Sequence, residues 1–108
     1  MDLARTPEPP YTAVIFTSIR TEAAAGEDYA AMAAEMERLA AEQPGYLGIE
    51  YAHDAAGITV SYWATAVDAQ AWKQVAEHRV AQRRGRSEWY RAYRVRVATV
   101  EREYGYPG

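Results

Sequence analysis

Residues 46–63, YLGIEYAHDAAGITVSYW, predict a β-hairpin in the middle of the chain. Two runs of strand length, residues 46–53 and 58–63, are rich in β-branched and aromatic residues and are separated by Asp-Ala-Ala-Gly. We expect Gly57 to supply the positive φ angle that such a hairpin loop needs. This hairpin decides the fold, because the sequence on each side of it has the pattern of a helix.

An amphipathic helix is predicted before the hairpin and a second one after it. In the first, apolar residues from Tyr29 to Leu39 recur at spacings of three and four, Asp28 can serve as N-cap, and Pro44-Gly45 ends the segment. The second is predicted over residues 66–84. Its apolar side is expected to carry Val67, Ala71, Trp72, Val75, Ala76 and Val80.

Two further strands are predicted at the ends of the chain. Residues 11–20, YTAVIFTSIR, carry no charge on either face before Arg20, which indicates a strand covered on both faces. Residues 93–104, YRVRVATVEREY, alternate as a long final strand, and residues 87–92 are interpreted as a short extra turn of helix. Residues 1–10 are expected to form a flexible proline-rich arm outside a single domain over residues 11–108.

The predicted order is βαββαβ, which indicates the α+β ferredoxin-like fold. In this fold a four-stranded antiparallel sheet carries both helices on one face. The opposite face still carries apolar residues and therefore needs a second layer. A homodimer that packs sheet against sheet is the simplest way to provide it.

Composition excludes several classes of protein. Cysteine is absent, so disulfides, thiolate metal sites and cysteine nucleophiles are excluded, and no apolar stretch is long enough to span a membrane. Residues 1–70 hold 11 acids and 3 bases, whereas residues 71–108 hold 4 acids and 9 bases. We interpret the basic segment as the neighbour of the acidic helix, and the net charge of −3 argues against a nucleic-acid partner. The first ten residues lack the apolar core of a secretory signal, so we expect a cytoplasmic location.

Several segments resemble the antibiotic biosynthesis monooxygenase (ABM) domain family of the dimeric α/β barrel superfamily. They are PGYLG at residues 44–48, ITVSYW at 58–63, AWKQVAEHRVAQRRGRSEWYRAY at 71–93 and RVATVEREYG at 96–105. The resemblance implies a homodimer with a pocket between the sheet and the two helices of each subunit. It also implies oxidation of polycyclic phenols to quinones by dioxygen, with no bound metal or flavin.

His78 is the predicted catalytic residue. With Ala71, Val75 and Gln82 it forms a stripe along the second helix that we expect to face the sheet. An imidazole there suits a base for a phenol or a ligand for haem iron. The alternative is a structural histidine that hydrogen-bonds to backbone, Glu50 or Tyr62. The other histidine, His53, is expected to be solvated beside the hairpin.

Five further residues are predicted to bind the substrate. Trp63, Trp72 and Phe16 are expected to line the pocket, although residues of this kind also suit the core. Tyr62 is a candidate hydrogen-bond partner for the substrate. Arg86 is a candidate to hold an anionic or phenolic group, or else it caps the fold and pairs with acids.

Three functions follow from these predictions. The first is a small homodimeric oxygenase that takes an apolar aromatic molecule and requires no cofactor. The second is a haem-binding protein with His78 as axial ligand; the haem-degrading relatives place an Asn on the first strand, whereas this chain has no Asn, so Thr17 or Ser18 would have to replace it. The third is a non-catalytic ligand-binding module. GxGxxG, P-loop and GxSxG motifs are absent, and no histidine spacing indicates a metal site.

Overall fold

In the part of the chain that the structure describes, four strands and two α-helices follow one another in the predicted order. The computed structural model describes residues 2–54, 56–82 and 89–107. Its elements are β1 (Tyr11–Arg20), a short 3-10 helix (Glu22–Ala25), α1 (Glu27–Ala41), β2 (Tyr46–His53), β3 (Ala56–Trp63), α2 (Ala66–Gln82) and β4 (Tyr90–Val100). The ferredoxin-like α+β prediction is confirmed.

The strands form one antiparallel sheet in the order β2-β3-β1-β4, with β1 paired to both β3 and β4. Successive side chains of a strand point to opposite faces. The face toward the helices, the inner face, therefore carries Val14, Phe16 and Arg20. Tyr11 and Ala13 lie on the other side, the outer face.

Three local predictions are wrong. Among the described residues, the glycines with positive φ are Gly45 and Gly48, whereas Gly57 lies inside β3. The hairpin turns earlier than predicted, and Asp54 N–H donates to Ala56 O at 3.0 Å. The helical turn predicted over residues 87–92 is wrong for residues 90–92, which belong to β4 and extend its pairing with the end of β1. Trp89 is helical as predicted, and residues 87 and 88 lie outside the described residues.

The α1 helix begins without a side-chain cap, whereas the α2 helix begins with one. Asp28 was predicted as the N-cap but lies within α1, which begins at Glu27 after Gly26. The carboxylates of Glu27 and Asp28 are therefore in the first turn, where they interact favourably with the helix dipole. At α2, Asp68 N–H donates to Thr65 Oγ1 at 3.1 Å, and Thr65 Oγ1 donates to Asp68 Oδ2 at 2.9 Å. This reciprocal capping fixes the entry to α2 at the end of β3.

The core has two separate clusters between sheet and helices. One contains Ala24, Tyr29, Met32 and Trp89, and the other contains Ala40, Trp63 and Ala69. On α2 the side toward the sheet differs from the prediction, since Val67 is 77% exposed. The space between the two clusters is not filled by side chains.

The outer face is partly covered by the N-terminal arm. Ala4 N–H donates to Glu50 Oε2 at 2.8 Å, and Thr6 Oγ1 donates to Glu103 Oε1 at 2.5 Å. Farther along the same face, Ile19 and Ile58 are 48% and 45% exposed. The arm thus covers one end of the outer face, while the other end is open and exposes Ile19 and Ile58.

Candidate functional site

A cavity of about 730 Å³ lies between the inner face of the sheet and the two helices. Small-molecule sites usually measure ~300–1,000 Å³. Its floor is formed by apolar side chains of the sheet, namely Val14, Phe16, Ile49, Val95 and Val97. Its roof is formed largely by alanines, namely Ala30, Ala33, Ala34, Ala66, Ala69 and Ala76. The cavity exists because methyl groups on the helices are too short to reach the sheet.

Large apolar side chains face this space without being covered. Tyr51 on β2 is 41% exposed, and Tyr93, Val95 and Val97 on β4 are 40%, 41% and 60% exposed. All four line the cavity. Binding of a flat apolar molecule would remove this surface from water, which is the main source of affinity in such sites.

An aromatic group occupies one end of the cavity. Phe16 stacks on Tyr93 with centroids 5.4 Å apart and meets the edge of Tyr90 at 5.5 Å. The hydroxyls of Tyr90 and Tyr29 are 3.3 Å apart. Burial, with the neighbouring Tyr29 hydroxyl as a second cause, raises the pKa of Tyr90 well above its usual range, so Tyr90 stays a neutral phenol.

Two polar residues of the sheet lie at this same end. Arg20, the last residue of β1, and His53, the last residue of β2, both line the cavity. The Arg20 guanidinium lies 5.4 Å from the centroid of the Tyr29 ring, and the His53 and Tyr51 rings are 5.2 Å apart. Burial, and secondly the positive charge of Arg20, lower the pKa of His53. A cation and a neutral imidazole therefore adjoin a space whose floor and roof are mostly apolar.

The two predicted tryptophans have different surroundings. Trp63 is fully buried, donates from Nε1 to Ser61 Oγ at 2.9 Å and does not line the cavity, so it is a core residue. Trp72 is half-buried, stacks on Trp63 with centroids 5.8 Å apart and lines the cavity, as does Phe16. Two of the three predicted aromatic walls are thus at the cavity.

Tyr62 lies on the other side of the sheet. Its hydroxyl donates to Glu50 Oε1 at 2.6 Å, and its ring meets that of Tyr11 at 5.8 Å. Burial first, and then the Glu50 carboxylate, raise the pKa of Tyr62 above its usual range. The structure separates Tyr62 from the cavity because it neighbours Trp63 in a strand, and adjacent strand residues face opposite ways.

His78 is exposed and does not line the cavity. The α2 residues that do so include Ala69, Trp72, Ala76 and Val80, which recur at spacings of three and four. At 3.6 residues per turn, His78 lies about 120° around the helix from Trp72. The prediction that His78 faces the sheet is therefore wrong. Its catalytic role stays a prediction, and the position of His78 does not support it. Arg86 lies outside the described residues.

The described residues contain no group of three side chains suited to holding a metal ion. Lys73 and Glu77, on the cavity side of α2, pair with each other at 3.4 Å, and Arg79 pairs with Glu35 of α1 at 2.9 Å. Within the same ranges no helix is long and apolar enough to cross a membrane.

The sequence profile of the family named Antibiotic biosynthesis monooxygenase matches residues 10–84. The chain belongs to this family. The match runs from β1 through α2, and these elements provide most of the cavity. The predicted resemblance is thereby confirmed.

A close relative in sequence is the Uncharacterized protein YqjZ of Bacillus subtilis (strain 168). It is 48% identical over 103 residues, which are 94% of this chain and 89% of that protein. A relationship of this strength supports the same fold and family across nearly the whole chain. The match does not indicate which activity this chain has.

Two solved structures share the fold at low identity. SnoaB of Streptomyces nogalater, a cofactor-independent oxygenase, has a TM-score of 0.66 and 9% identity, covering 93% of this chain and 100% of its own. The heme-degrading protein Rv3592 of Mycobacterium tuberculosis has a TM-score of 0.57 and 18% identity, covering 90% and 99%. At these identities the likeness shows the fold alone.

Sequence reasoning missed Arg20 and His53 as cavity residues. Both could have been found from the alternation of their strands. Arg20 has the same parity as Phe16 in β1, and His53 has the same parity as Tyr51 in β2. His53 is exposed beside the hairpin, as predicted, and the sheet edge there also borders the cavity.

Proposed function

We propose that this chain is a cofactor-independent oxygenase that oxidises a flat phenolic molecule in the cavity between sheet and helices. The observation that carries the proposal is the cavity itself, a largely apolar space with Arg20 and His53 together at one end. Such a site orients a ring by one polar group and buries the rest of it. The fold shared with SnoaB agrees with this chemistry but does not establish it.

The proposed reaction converts the central-ring CH2 of an anthrone, opposite its carbonyl, into a second carbonyl. In the phenolic tautomer of the substrate this carbon is a CH opposite a hydroxyl. Loss of the phenolic proton makes the ring electron-rich enough to transfer an electron to dioxygen. One oxygen atom then forms the new carbonyl, and the other leaves as water with the two hydrogens of the carbon. The protein contributes the proton acceptor, the orientation of the ring and a cavity from which bound substrate excludes water.

Oxygen uptake with 1,8-dihydroxyanthrone tests this proposal. Purified protein treated with a chelator is added to the phenol in an oxygen electrode cell, and spontaneous uptake is subtracted. We expect catalysed uptake with one dioxygen consumed for each quinone formed. Binding without uptake would contradict the oxygenase and leave a ligand-binding module.

A matched pair of variants locates the reaction. Ala33 lines the cavity, whereas Ala31, two residues away on α1, is exposed outside it. Ala33→Phe fills part of the cavity and is expected to abolish uptake, while Ala31→Phe leaves it unchanged. If both variants lose oxygen uptake equally, or if neither loses it, a reaction in this cavity is contradicted.

Haem fits the described residues poorly if His78 is the ligand, because that side chain points away from the cavity. We therefore propose no step through haem. Addition of hemin is expected to give no Soret band that depends on His78. A stoichiometric Soret band that disappears in His78→Ala would favour the haem-binding alternative.

We further propose that the protein acts as a homodimer joined through its outer face. Exposed Ile19 and Ile58 share this face with half-buried Ile15 and Val60, and monomers rarely leave such a patch in water. Light scattering at micromolar concentration is expected to give twice the chain mass of 12.1 kDa. Ile58→Glu is expected to give the single-chain mass, and a single-chain mass in the wild type would contradict the dimer.

A further inference from the structure

We propose that Arg20 and His53 form an oxyanion end of the cavity, which selects aromatic ligands with an acidic hydroxyl and binds them as the phenolate, with His53 holding the proton. The inference rests on the proposed function, since it names the substrate class of the same cavity. It gives both residues a role that their sequence context did not predict.

A glycine brings the two side chains to one small gap. Gly57 of β3 is paired with Ser18 on one side and with His53 on the other, in a row across three strands. A Cβ on Gly57 would lie 3.1 Å from Ser18 Oγ, 3.2 Å from His53 Nδ1 and 3.8 Å from Arg20 Nε. Because glycine has no Cβ, these three polar atoms converge around one point on the inner face.

Arg20 is also aimed by its backbone. The pairing of β1 with β4 shifts register between Ile19 and Arg20, so that Arg20 lies opposite Tyr90. Irregularities of this kind redirect a side chain at the end of a strand. The guanidinium is thereby held against the Tyr29 ring, which supports it without neutralising its charge.

The charge of Arg20 distinguishes it from the other cations near the cavity. Lys73 is paired with Glu77, and Arg79 is paired with Glu35. No carboxylate forms an ion pair with Arg20 within the described ranges, and its side chain is half-buried. A half-buried cation favours the ionised form of an acidic group placed beside it.

His53 supplies the proton acceptor. Its pKa is lowered, by burial and then by Arg20, so the imidazole is neutral at neutral pH and able to take a proton. The O–H bond of the phenol breaks, an N–H bond forms on the imidazole, and the electron pair stays on oxygen. The negative charge of the phenolate then lies between two positive charges, those of the Arg20 guanidinium and the His53 imidazolium. Each of them stabilises the phenolate.

The neighbouring tyrosines suit this arrangement. Tyr93 stacks on Phe16 and provides a flat surface beside the gap. Tyr90 remains a neutral phenol because its pKa is raised. It therefore adds no competing negative charge to the site, and a ligand phenolate is the group that Arg20 can stabilise.

Absorption of a bound probe tests the inference. The probe is 2-hydroxyanthraquinone, whose visible band moves to longer wavelength when its hydroxyl ionises. It is titrated with the full chain one pH unit below its own pKa in free solution, where about a tenth is ionised. We expect the bound probe to show the phenolate band, which means that its pKa falls by more than one unit on binding.

Variants and a second ligand provide the controls. Arg20→Gln and His53→Gln are each expected to weaken binding of the probe at least tenfold and to remove the phenolate band. Anthraquinone, which lacks the hydroxyl, is expected to bind the wild type and both variants equally, which also shows that they are folded. Arg38→Gln removes the same charge from an exposed position of α1 outside the cavity and is expected to change neither result.

Two outcomes would overturn the inference. If both ligands bind the wild type but the probe stays neutral, or if Arg20→Gln and His53→Gln keep the phenolate band, the oxyanion end is wrong while the cavity proposal stands. If neither ligand binds the wild type, the proposed function fails as well.

Discussion

Trp63 and Trp72 stack with their ring centroids 5.8 Å apart and an interplanar angle of 22°, and this contact joins the core to the cavity wall. Trp63 belongs to β3 and is fully buried, whereas Trp72 belongs to α2 and borders the cavity. The pair fixes the height of α2 above the sheet. It thereby sets one boundary of the space available to a ligand.

The first prediction separates the two tryptophans. Trp63→Ala removes a fully buried indole and is expected to lower the free energy of unfolding by about 3–5 kcal/mol. Trp72→Ala is expected to cost about 1–2 kcal/mol, because only part of its ring is buried, and to weaken anthraquinone binding. Urea unfolding and a ligand titration measure both effects. Equal destabilisation by the two substitutions would contradict this difference in burial.

The second prediction concerns the turn between α1 and β2. Gly45 has a φ of +80°, and a Cβ there would overlap Asp68 Oδ2, which accepts a hydrogen bond from the N-cap hydroxyl of Thr65. Gly45→Ala is expected to lower the free energy of unfolding by about 1–3 kcal/mol or more, from backbone strain and displacement of the cap.

Gly105→Ala is the matched control for this substitution. A Cβ on Gly105 meets nothing within 4 Å, so we expect a change within about 0.5 kcal/mol. Similar unfolding curves for the two variants would show that the Gly45 turn is not a constraint on the fold.

The third prediction is a change in the pKa of His53. Its value is lowered from the ordinary 6.5, first by burial and then by Arg20. Arg20→Gln removes the second cause, so the pKa of His53 is expected to rise toward 6.5. NMR titration of the imidazole C–H signals measures it, with the His53 signals assigned by their loss in His53→Gln. An unchanged value would contradict the proximity of the two side chains.

The same lowered pKa affects stability in a defined direction. Because the folded state binds the His53 proton more weakly than the unfolded state, stability falls as the pH drops from 6.5 through the folded pKa of His53. Arg20→Gln is expected to reduce this loss relative to the wild type. Unfolding curves across that pH range measure the difference.

The fourth prediction decides between the two histidines. His78→Gln changes an exposed residue of α2 outside the cavity and is expected to keep oxygen uptake and stability near the wild-type values. His53→Gln is expected to lose uptake while the chain remains folded. Loss of uptake in His78→Gln alone would return His78 to the catalytic role predicted from the sequence.

The fold was predictable because its signals are local. The bounds of β1 and β2 follow from runs of β-branched and aromatic residues between turn residues, and Pro44-Gly45 marks the end of α1. The hairpin turn was misplaced because Gly57 indicated a loop. Gly57 instead leaves room between Ser18 and His53. This arrangement involves three strands and cannot be recognised from the hairpin sequence alone.

The site was less predictable for a similar reason. α2 carries apolar residues on more than one side, so the sequence allowed a stripe through His78 as well as one through Trp72 and Ala76. The stacking of Trp72 on Trp63 turns the stripe of Trp72 and Ala76 toward the sheet. Tyr62 and Trp63 are adjacent in β3 and were both assigned to the pocket, although strand geometry allows only one of them to face it.

Oxidation under 18O-labelled dioxygen tests the central claim most directly. Chelator-treated, flavin-free protein is mixed with 1,8-dihydroxyanthrone, and the quinone is analysed by mass spectrometry after correction for the uncatalysed reaction. The account predicts one 18O atom in the new carbonyl of each quinone formed, at a rate that Ala33→Phe abolishes and Ala31→Phe preserves. No increase over the uncatalysed rate, or an increase that requires added haem or metal, would contradict it.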